Sequence, residues 1–494
     1  MDDSFPMLNF TFIRMDIRAG SWGVDFWTRF TVSLANLRMK GMMEKWFVVA
    51  LLGACGFVAA AAEPYERVTE EPAGNPIVAN IGLDDGHFRA YGDRLYNYAC
   101  HDYSPDSRGF VLKKWWVWST QDLVTWTFES ALEPTVLGFP QGYKDCWATD
   151  AQTRNGKYYW YVCNPENTYV VRSDTPVGPW EAPLGDKPLM PGRDPSVFID
   201  DDGTAYLVTG VWQYRIAALG EDMISLRESP RTVEIINPRG PYNHNGEDPQ
   251  HPTDDKPYLH KHNGKYYLSW GCYYGVADQV YGPYTYKGCF IVPERTEAEF
   301  AQPVAGLTHD RHGSFFEWNN QTYFNCNDLS SNGAHSYWWN TVIMYIHYRD
   351  NGEIEPVYLN RLGVGQYDAS GPIEAENFYA SDGGVKKENG EGGFEMRMTA
   401  GEGELRFQHV HNLPPSARAV FRVATPSDLK GGAIEVWRDG AEPVRLGRCE
   451  LPASSDEYVT VECRLENSTE RQDLRLVFLG DDRETIRLDY IRFE

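Results

Sequence analysis

Acidic residues stand at the same relative position in front of successive aromatic-rich segments of the chain. An ionised carboxylate can activate a water molecule, while a protonated one can donate its proton to a leaving oxygen, which is the pair of groups that glycoside hydrolysis needs. A further carboxylate nearby raises the pKa of the acid by like-charge repulsion. No Gly-x-Ser-x-Gly, His-Glu-x-x-His or phosphate-binding loop competes with this chemistry. The candidates are Asp84-Asp85, Asp150, Asp194 and Asp254-Asp255, with His309 to His312 before the last segment.

Each of these positions is followed by a turn pair and an aromatic run, and the unit recurs about every 45 to 65 residues. Asp202-Gly203 is predicted to form a tight two-residue turn, because Asp-Gly supplies the positive φ angles that such a turn requires. Five such units predict an all-β fold, a five-bladed β-propeller over residues 63–365. The innermost strands of a propeller line a central funnel, so the polar residues beside them converge on one site.

The aromatic pattern stops near residue 366, and shorter alternating strands follow to residue 494. Their spacing predicts a second domain, a jelly-roll-like β-sandwich. Cys449 and Cys463 flank neighbouring strands there and could be bridged. The net charge of −24, from 70 acidic and 46 basic residues, argues against nucleic acid as a partner.

The first 62 residues are predicted to be absent from the mature protein. Lys40 and Lys45 precede a short apolar run that ends in small residues before Glu63. This pattern predicts a secretory signal peptide at 39–62 and is too short for a transmembrane span. Residues 1–38 are then a mis-set start, and the protein is secreted or periplasmic in a bacterium. Leu52-Gly-Ala-Cys55 also resembles a lipoprotein cleavage site, so the alternative is an outer-membrane lipoprotein with a lipid anchor at Cys55.

Residues 74–350 resemble glycoside hydrolase family 43, whose members are five-bladed propellers that act on arabinose-, xylose- and galactose-containing polysaccharides. The resemblance is carried by Asp85-Gly-His87, Trp147-Ala-Thr-Asp150, Asp194-Pro-Ser-Val-Phe, Lys256-Pro-Tyr-Leu-His and His312-Gly-Ser. It implies that Asp85 is the general base and that Asp194 tunes and orients the acid. His312 would lie near the propeller axis, where some members hold a calcium ion or a water.

The same resemblance places substrate-binding residues at His87, Trp147, Asp150 and His312, and no organic cofactor is expected. Trp115, Trp116, Trp118, Trp147 and Tyr273 could stack on sugar rings, although each such aromatic more often packs inside a blade.

Two positions depart from the family pattern. The base is usually followed by proline, whereas Asp85 is followed by Gly86, with Asp84 as a rival; the spacing to His87 favours Asp85. The acid is usually Glu two residues before a proline, and this chain has Asp255, whose carboxyl lies about 1.5 Å nearer the backbone. Asp255 is our first candidate for the acid, Glu247 in the preceding loop is the second, and an inactive enzyme is the third alternative.

The C-terminal sandwich resembles a carbohydrate-binding module of family 6, through Ile373-Glu-Ala-Glu-Asn-Phe378 and Leu488-Asp-Tyr-Ile-Arg-Phe493. The resemblance implies a structural calcium ion at Glu374, Glu376 and Asp489, and oxygen ligands suit calcium. The sequence therefore predicts a secreted, inverting glycosidase of the α-L-arabinofuranosidase or β-xylosidase type. The alternative is a catalytically impaired propeller that only binds carbohydrate.

Overall fold

The computed structural model describes residues 74–494, apart from short gaps at 105, 302–305, 331–336, 402, 426–430, 453–454 and 482–484. It also describes two short strands near the N-terminus, β1 (Phe10–Phe12) and β2 (Thr28–Phe30), which pair antiparallel. The predicted signal peptide, with Cys55, lies outside the described residues, as does most of the predicted mis-set start. Among the helices of the described part, none has the length and apolar character that crossing a membrane requires.

Five consecutive sheets follow, each built mainly from antiparallel strands that are neighbours in the chain. The first contains β3 (Leu83–Tyr91), β4 (Arg94–Asp102), β5 (Leu112–Thr120) and β6 (Thr127–Leu132). The second contains β7 (Trp147–Arg154), β8 (Lys157–Cys163), β9 (Asn167–Ser173) and β10 (Met190–Pro191). The third contains β11 (Ser196–Ile199), β12 (Ala205–Val211), β13 (Gln213–Ala218) and β14 (Arg231–Thr232).

The last two sheets have different strand numbers. In the fourth, β15 (Ile235–Ile236) joins in parallel the antiparallel strands β16 (Pro257–His262), β17 (Lys265–Trp270), β18 (Tyr273–Ala277) and β19 (Tyr284–Cys289). The fifth contains β20 (Gly313–Trp318), β21 (Gln321–Asp328) and β22 (Asn340–Tyr345).

One strand from each of the five sheets contributes to a closed ring. Strand β3 contacts β7, β7 contacts β11, β11 contacts β16, β16 contacts β20, and β20 contacts β3. A ring of radially arranged sheets is a β-propeller, so the all-β propeller fold is confirmed, and the five sheets are consistent with the predicted five blades. Asp194, Asp255 and His312 lie just before β11, β16 and β20, and Asp85 is the third residue of β3, so these four residues meet at one end of the ring, whereas Asp150 lies in the middle of β7.

The hairpin turns form where the sequence predicts them, with one exception. Asn155-Gly156 and Asn319-Asn320 have positive φ at both residues, as two-residue turns of this kind require. The predicted two-residue turn at Asp202-Gly203 is wrong. Strand β11 ends at Ile199, β12 begins at Ala205, and only Gly203 of the pair has a positive φ. The loop is longer because the main-chain N–H of Asp200 donates to the oxygen of Thr204 and closes it earlier.

The C-terminal sandwich consists of two sheets. One contains β23 (Tyr367–Asp368), β25 (Ala380–Asp382), β28 (Glu404–His411), β30 (Ala433–Arg438), β31 (Val444–Glu450) and β33 (Gln472–Leu479). The other contains β24 (Ile373–Glu374), β26 (Gly384–Glu388), β27 (Phe394–Thr399), β29 (Arg418–Thr425), β32 (Ser455–Arg464) and β34 (Thr485–Phe493). A Cys449–Cys463 disulfide joins β31 to β32 and thereby links the two sheets.

Helical structure in the described residues is limited to short 3₁₀ turns, which include Pro134–Leu137, Pro293–Arg295, Ala298–Phe300 and Ala375–Asn377. The propeller core is aromatic: Trp115, Trp116 and Trp118 are fully buried, and Tyr273 is nearly so. These four side chains pack within the blades and are not exposed for stacking on a sugar ring.

Candidate active site

Asp85 is held at a distortion in β3. The pairing of β3 with β4 shifts register between Asp84 and His87, and Asp85 adopts a left-handed conformation with φ of 47°. Its main-chain N–H donates to Asn327 Oδ1 at 2.8 Å, and Asn327 Nδ2 donates to Asp85 Oδ1 at 2.8 Å. A distortion of this kind re-aims one side chain out of the regular alternation, and two hydrogen bonds to one asparagine fix it there.

The side chain of Asn97 explains why this chain has Gly86 and not proline after the base. A Cβ atom at this position would lie 2.2 Å from Asn97 Oδ1, a distance that no side chain tolerates. The carbonyl of Gly86 also accepts a hydrogen bond from Asn325 Nδ2 at 2.8 Å. The departure from the family pattern is therefore matched by a buried asparagine that takes the space.

His312 lies between two candidate carboxylates. Its Nδ1 is 3.0 Å from Asp85 Oδ1, and its Nε2 contacts Asp255 Oδ1. The ammonium group of Lys256 is buried on the other side of Asp85, where it donates to the Asp85 main-chain oxygen and lies 3.9 Å from Oδ1. The main-chain N–H of Lys256 donates to Asp194 Oδ2 at 3.3 Å. The structure thus brings Asp85, Asp194 and Asp255 together around one imidazole ring and one ammonium group.

These contacts divide the carboxylates by protonation state. Burial alone would raise the pKa of Asp85, but Lys256 and His312 hold it well below its usual range. Burial would likewise raise the pKa of Asp255, and His312 lowers it instead. Asp194 behaves differently, because burial and the neighbouring charge of Asp255 raise its pKa to about 7. Asp85 is therefore ionised at neutral pH, as a base must be, whereas Asp194 is partly protonated.

The imidazole ring carries the charge that balances the cluster. Burial alone would lower the pKa of His312, but the carboxylates of Asp255 and Asp85 raise it well above its usual range. His312 is consequently protonated on both nitrogens, with one proton directed at each carboxylate. The cluster therefore holds the ionised base Asp85, the ionised carboxylate of Asp255 and a protonated imidazole between them.

The two rival carboxylates have different surroundings. Asp84 is buried, and burial and then Asp102 raise its pKa well above the usual range. Glu247 is exposed in the loop before β16, and its carboxylate accepts a hydrogen bond from Asn245 Nδ2 at 2.5 Å. The structure does not bring Glu247 into contact with Asp85 or His312.

The predicted contact of His87 and Asp150 with substrate is corrected by their burial. Both side chains are completely inaccessible, and His87 Nδ1 lies 3.1 Å from Asp150 Oδ1. Asp150 also forms an ion pair with Arg89, whose Nη2 is 2.7 Å from Oδ2, and accepts the main-chain N–H of Val197 at 2.7 Å. Together with Arg89, which also donates to Tyr258 OH at 2.9 Å, they tie the inner strands of the first four blades to one another. Trp147 is half-buried with Arg193 stacked over its ring at 5.0 Å, and it remains a candidate for sugar contact.

We expect Arg89→Met to lower the free energy of unfolding by about 3 to 5 kcal/mol, because it leaves the carboxylate of Asp150 buried without its partner. Urea unfolding of the purified chain measures this loss. The matched control is Arg172→Met, which removes an exposed pair with Glu181 (Nε to Oε1 2.6 Å) and should cost less than about 1 kcal/mol. Equal losses in the two variants would contradict a special role for the buried pair.

The predicted calcium ligands of the sandwich lie near one another at the border with the propeller. They line a cavity of about 690 Å³ together with propeller residues such as Tyr345 and His347. Glu376 is buried, its Oε2 has no hydrogen-bond partner among the described residues, and burial raises its pKa to about 8. Glu374 adds a carboxylate nearby, which suits a cation, whereas Asp489 is already paired with Arg422.

A second group could hold a metal ion at the propeller axis. One ligand atom from each of Asp254, Asp255 and His312 lies within 4.8 Å of the others. Asp254 Oδ2 has no hydrogen-bond partner within the described part of the chain, so it has a free position for a cation. His312 would have to release its contact with Asp255 to bind a metal.

Comparison with known proteins assigns both domains to families. The profile of Glycosyl hydrolases family 43 matches residues 73–354, and that of Carbohydrate binding module (family 6) matches residues 374–494. An arabinoxylan arabinofuranohydrolase of Bacillus subtilis (strain 168) is 26% identical, over 90% of this chain and 97% of that protein. A protein of the same name from Paenibacillus polymyxa is 26% identical, over 86% of this chain and 74% of its own length.

A solved structure shares the propeller. A GH43 beta-xylosidase/alpha-arabinofuranosidase from a compost microbial metagenome, in complex with xylotriose in a calcium-free form, is 25% identical. The match covers 58% of this chain and 98% of that one, with a TM-score of 0.50.

Proposed function

Because the chain belongs to glycosyl hydrolases family 43 and is a glycosidase, we propose that it removes terminal arabinofuranosyl or xylosyl groups from arabinoxylan-type polysaccharides. The observation that carries this proposal is the cluster of Asp85, Asp255 and His312 at the start of the inner strands. The substrate class is supported by two similar arabinoxylan arabinofuranohydrolases whose alignments cover both domains.

In the proposed reaction, Asp85 accepts a proton from the water that attacks the anomeric carbon. Asp85 and Asp255 contact opposite nitrogens of one imidazole, so the ring lies between their carboxylates and separates them by roughly 7 Å. Inverting glycosidases place the two groups about 6.5 to 9.5 Å apart so that water fits beside the sugar. The geometry therefore favours a single displacement with inversion.

The leaving oxygen needs a proton, and Asp255 is ionised before substrate binds. His312 holds a proton on the nitrogen that faces Asp255, so we assign His312 as its source and Asp255 as the group that passes it to the leaving oxygen. Asp194 accepts a hydrogen bond from the main-chain N–H of Lys256, the residue after Asp255, and thereby orients Asp255 and His312. A calcium ion at Asp254, Asp255 and His312 would replace the proton that His312 directs at Asp255, so it is an alternative to this proton relay.

Release of sugars from wheat arabinoxylan tests the proposal, with products separated by anion-exchange chromatography. We expect free arabinose, or free xylose if the xylosidase specificity applies, while the polymer backbone stays long. Release of no monosaccharide from arabinoxylan, xylo-oligosaccharides or arabinan would contradict the proposal. The ionised state of Asp255 favours a second candidate, a carbohydrate-binding propeller without turnover, which would show binding of these glycans by calorimetry and no product.

We further propose that the chain is exported, to the periplasm or the medium, with the lipoprotein anchored at Cys55 as the alternative. The Cys449–Cys463 disulfide supports export, because such bonds persist in oxidising compartments. Mass spectrometry of the mature N-terminus distinguishes cleavage before Glu63 from lipidation of Cys55. A calcium ion at Glu374, Glu376 and Asp489 is proposed as a structural element of the sandwich, and the unpaired Glu376 carboxylate supports it.

A further inference from the structure

Two large aromatic side chains are exposed beside the proposed acid. Trp212 lies at the turn between β12 and β13 with 38% of its surface exposed, and Tyr242 lies in the loop before β16 with 50% exposed. Most aromatic side chains of the propeller are buried in its blades. Exposed aromatic rings that sit together on a rim mark a binding surface more often than a packing defect.

Trp212 is tied to the chain segment that carries Asp255. Its main-chain N–H donates to the Asp254 oxygen at 2.9 Å, and Thr253 Oγ1 donates to the Trp212 oxygen at 2.8 Å. Trp212 also has a φ of 58°, a left-handed conformation that is costly for a bulky residue. Strained conformations of this kind persist mainly where function selects them.

Tyr242 reaches the same rim from the next loop. A Cβ atom on Gly240 would lie 2.5 Å from the Thr253 oxygen, so this loop packs directly against the residue before Asp254. The Tyr242 ring meets His309 edge-on with centroids 4.7 Å apart. His251 lies between the two aromatic residues, 4.2 Å from the Trp212 ring and 6.2 Å from the Tyr242 ring. Trp212, His251, Tyr242 and His309 form a continuous row of rings, the aromatic rim.

The position of this rim indicates which part of a substrate it contacts. A general acid protonates the leaving oxygen and therefore faces the leaving group, whereas the base faces the water on the opposite side of the sugar. Trp212 is hydrogen-bonded to the Asp254-Asp255 segment, and within the described part of the chain no hydrogen bond or ring contact joins the aromatic rim to Asp85. Apolar faces of neutral sugar rings stack on aromatic planes. Such contacts do not depend on charge, so the acidic net charge of this chain does not weaken them.

We propose that Trp212 and Tyr242 bind the leaving-group side of the substrate, a neutral chain of at least two β-linked pyranose units. This inference rests on the proposed function and on Asp255 as the acid. The cleaved sugar itself occupies the funnel floor at Asp85, and the aromatic rim holds the polymer from which it is removed. The rim therefore selects polymeric over small substrates.

The test compares one long and one short substrate in Trp212→Ala, Tyr242→Ala and the double variant. With arabinoxylan oligosaccharides, we expect KM to rise about tenfold in each single variant and further in the double variant, with kcat nearly unchanged. With 4-nitrophenyl α-L-arabinofuranoside, which has no sugar on the leaving side, kcat/KM should stay within about twofold. Trp212→Phe should restore most of the lost oligosaccharide affinity because it keeps an aromatic plane. Tyr358→Ala is the matched control, since Tyr358 is 58% exposed but lines the interdomain cavity.

Equal losses on both substrates would overturn the inference, because they would show that the rim only positions Asp254 and Asp255. An unchanged KM for oligosaccharides would overturn it as well. If the wild type releases no monosaccharide from arabinoxylan, xylo-oligosaccharides or arabinan, the proposed function fails. Calorimetry with xylohexaose then still tests the aromatic rim: binding must weaken in Trp212→Ala and persist in Tyr358→Ala. Binding that is equal in both variants would refute the aromatic rim.

Discussion

Replacement of Asp85 by Asn is expected to lower kcat on 4-nitrophenyl glycosides by about 10²- to 10⁴-fold, with KM nearly unchanged. The amide keeps the shape of the carboxylate and its hydrogen bond to Asn327 but cannot accept a proton from water. Because an aryl leaving group needs little help from an acid, the loss on this substrate reports the base alone. Steady-state kinetics with the arabinofuranoside and the xyloside measures it.

The matched control lies one residue away. Asp84 is buried with its pKa raised well above the usual range, so it is protonated and resembles an amide already. Asp84→Asn should therefore retain activity within a few fold. Loss of turnover in Asp84→Asn, together with survival of Asp85→Asn, would exchange the roles of the two residues.

Replacement of Asp255 by Asn is expected to separate good from poor leaving groups. Hydrolysis of arabinoxylan oligosaccharides, whose leaving oxygen needs a proton, should fall by about 10²-fold or more. Hydrolysis of 4-nitrophenyl glycosides should fall much less, because nitrophenolate leaves without protonation. The ratio of the two rates in the wild type and the variant measures the contribution of the acid.

Glu247→Gln is the control for this assignment, because its exposed carboxylate contacts Asn245 and lies apart from His312. It should leave both rates within about twofold. If Glu247→Gln instead abolishes oligosaccharide hydrolysis and Asp255→Asn does not, the loop of Glu247 closes over the substrate and supplies the acid. Asp255→Glu, which has the longer side chain usual in the family, should keep turnover if the site tolerates that reach.

The fold was predictable because its signals are local. Turn pairs such as Asn155-Gly156 and Asn263-Gly264 require positive φ, and the aromatic runs after them form the second strand of each sheet. The one turn that was wrong, at Asp202-Gly203, depends on the Asp200 N–H to Thr204 hydrogen bond, which spacing alone does not reveal. Alternation likewise predicted the sandwich, since β33 buries every second residue.

The candidate site was only partly predictable, because its decisive contacts join distant blades. The sequence identified Asp85 and Asp255, but not that one imidazole separates them. The sequence around Lys256 did not indicate that its ammonium group would be buried against Asp85. The ion pair of Asp150 depends on Arg89 from the neighbouring blade, and a sequence motif does not distinguish a ligand contact from a buried ion pair.

The aromatic candidates show the same limit. Tryptophans at 115, 116 and 118 are adjacent in a strand-forming run, and such residues fill the space between blades. Trp212 and Tyr242 stand in loops with no aromatic pattern around them, so no sequence signal singled them out. Only the fold shows that these two loops meet beside Asp255.

The most direct test of the mechanism is the configuration of the first sugar released, followed by proton NMR during early hydrolysis of the aryl glycoside that the wild type cleaves fastest. Attack by water activated at Asp85 predicts that the anomeric configuration of this sugar is opposite to that of the bond cleaved. A first product with the same configuration as the substrate would contradict the single displacement and the pairing of Asp85 with Asp255.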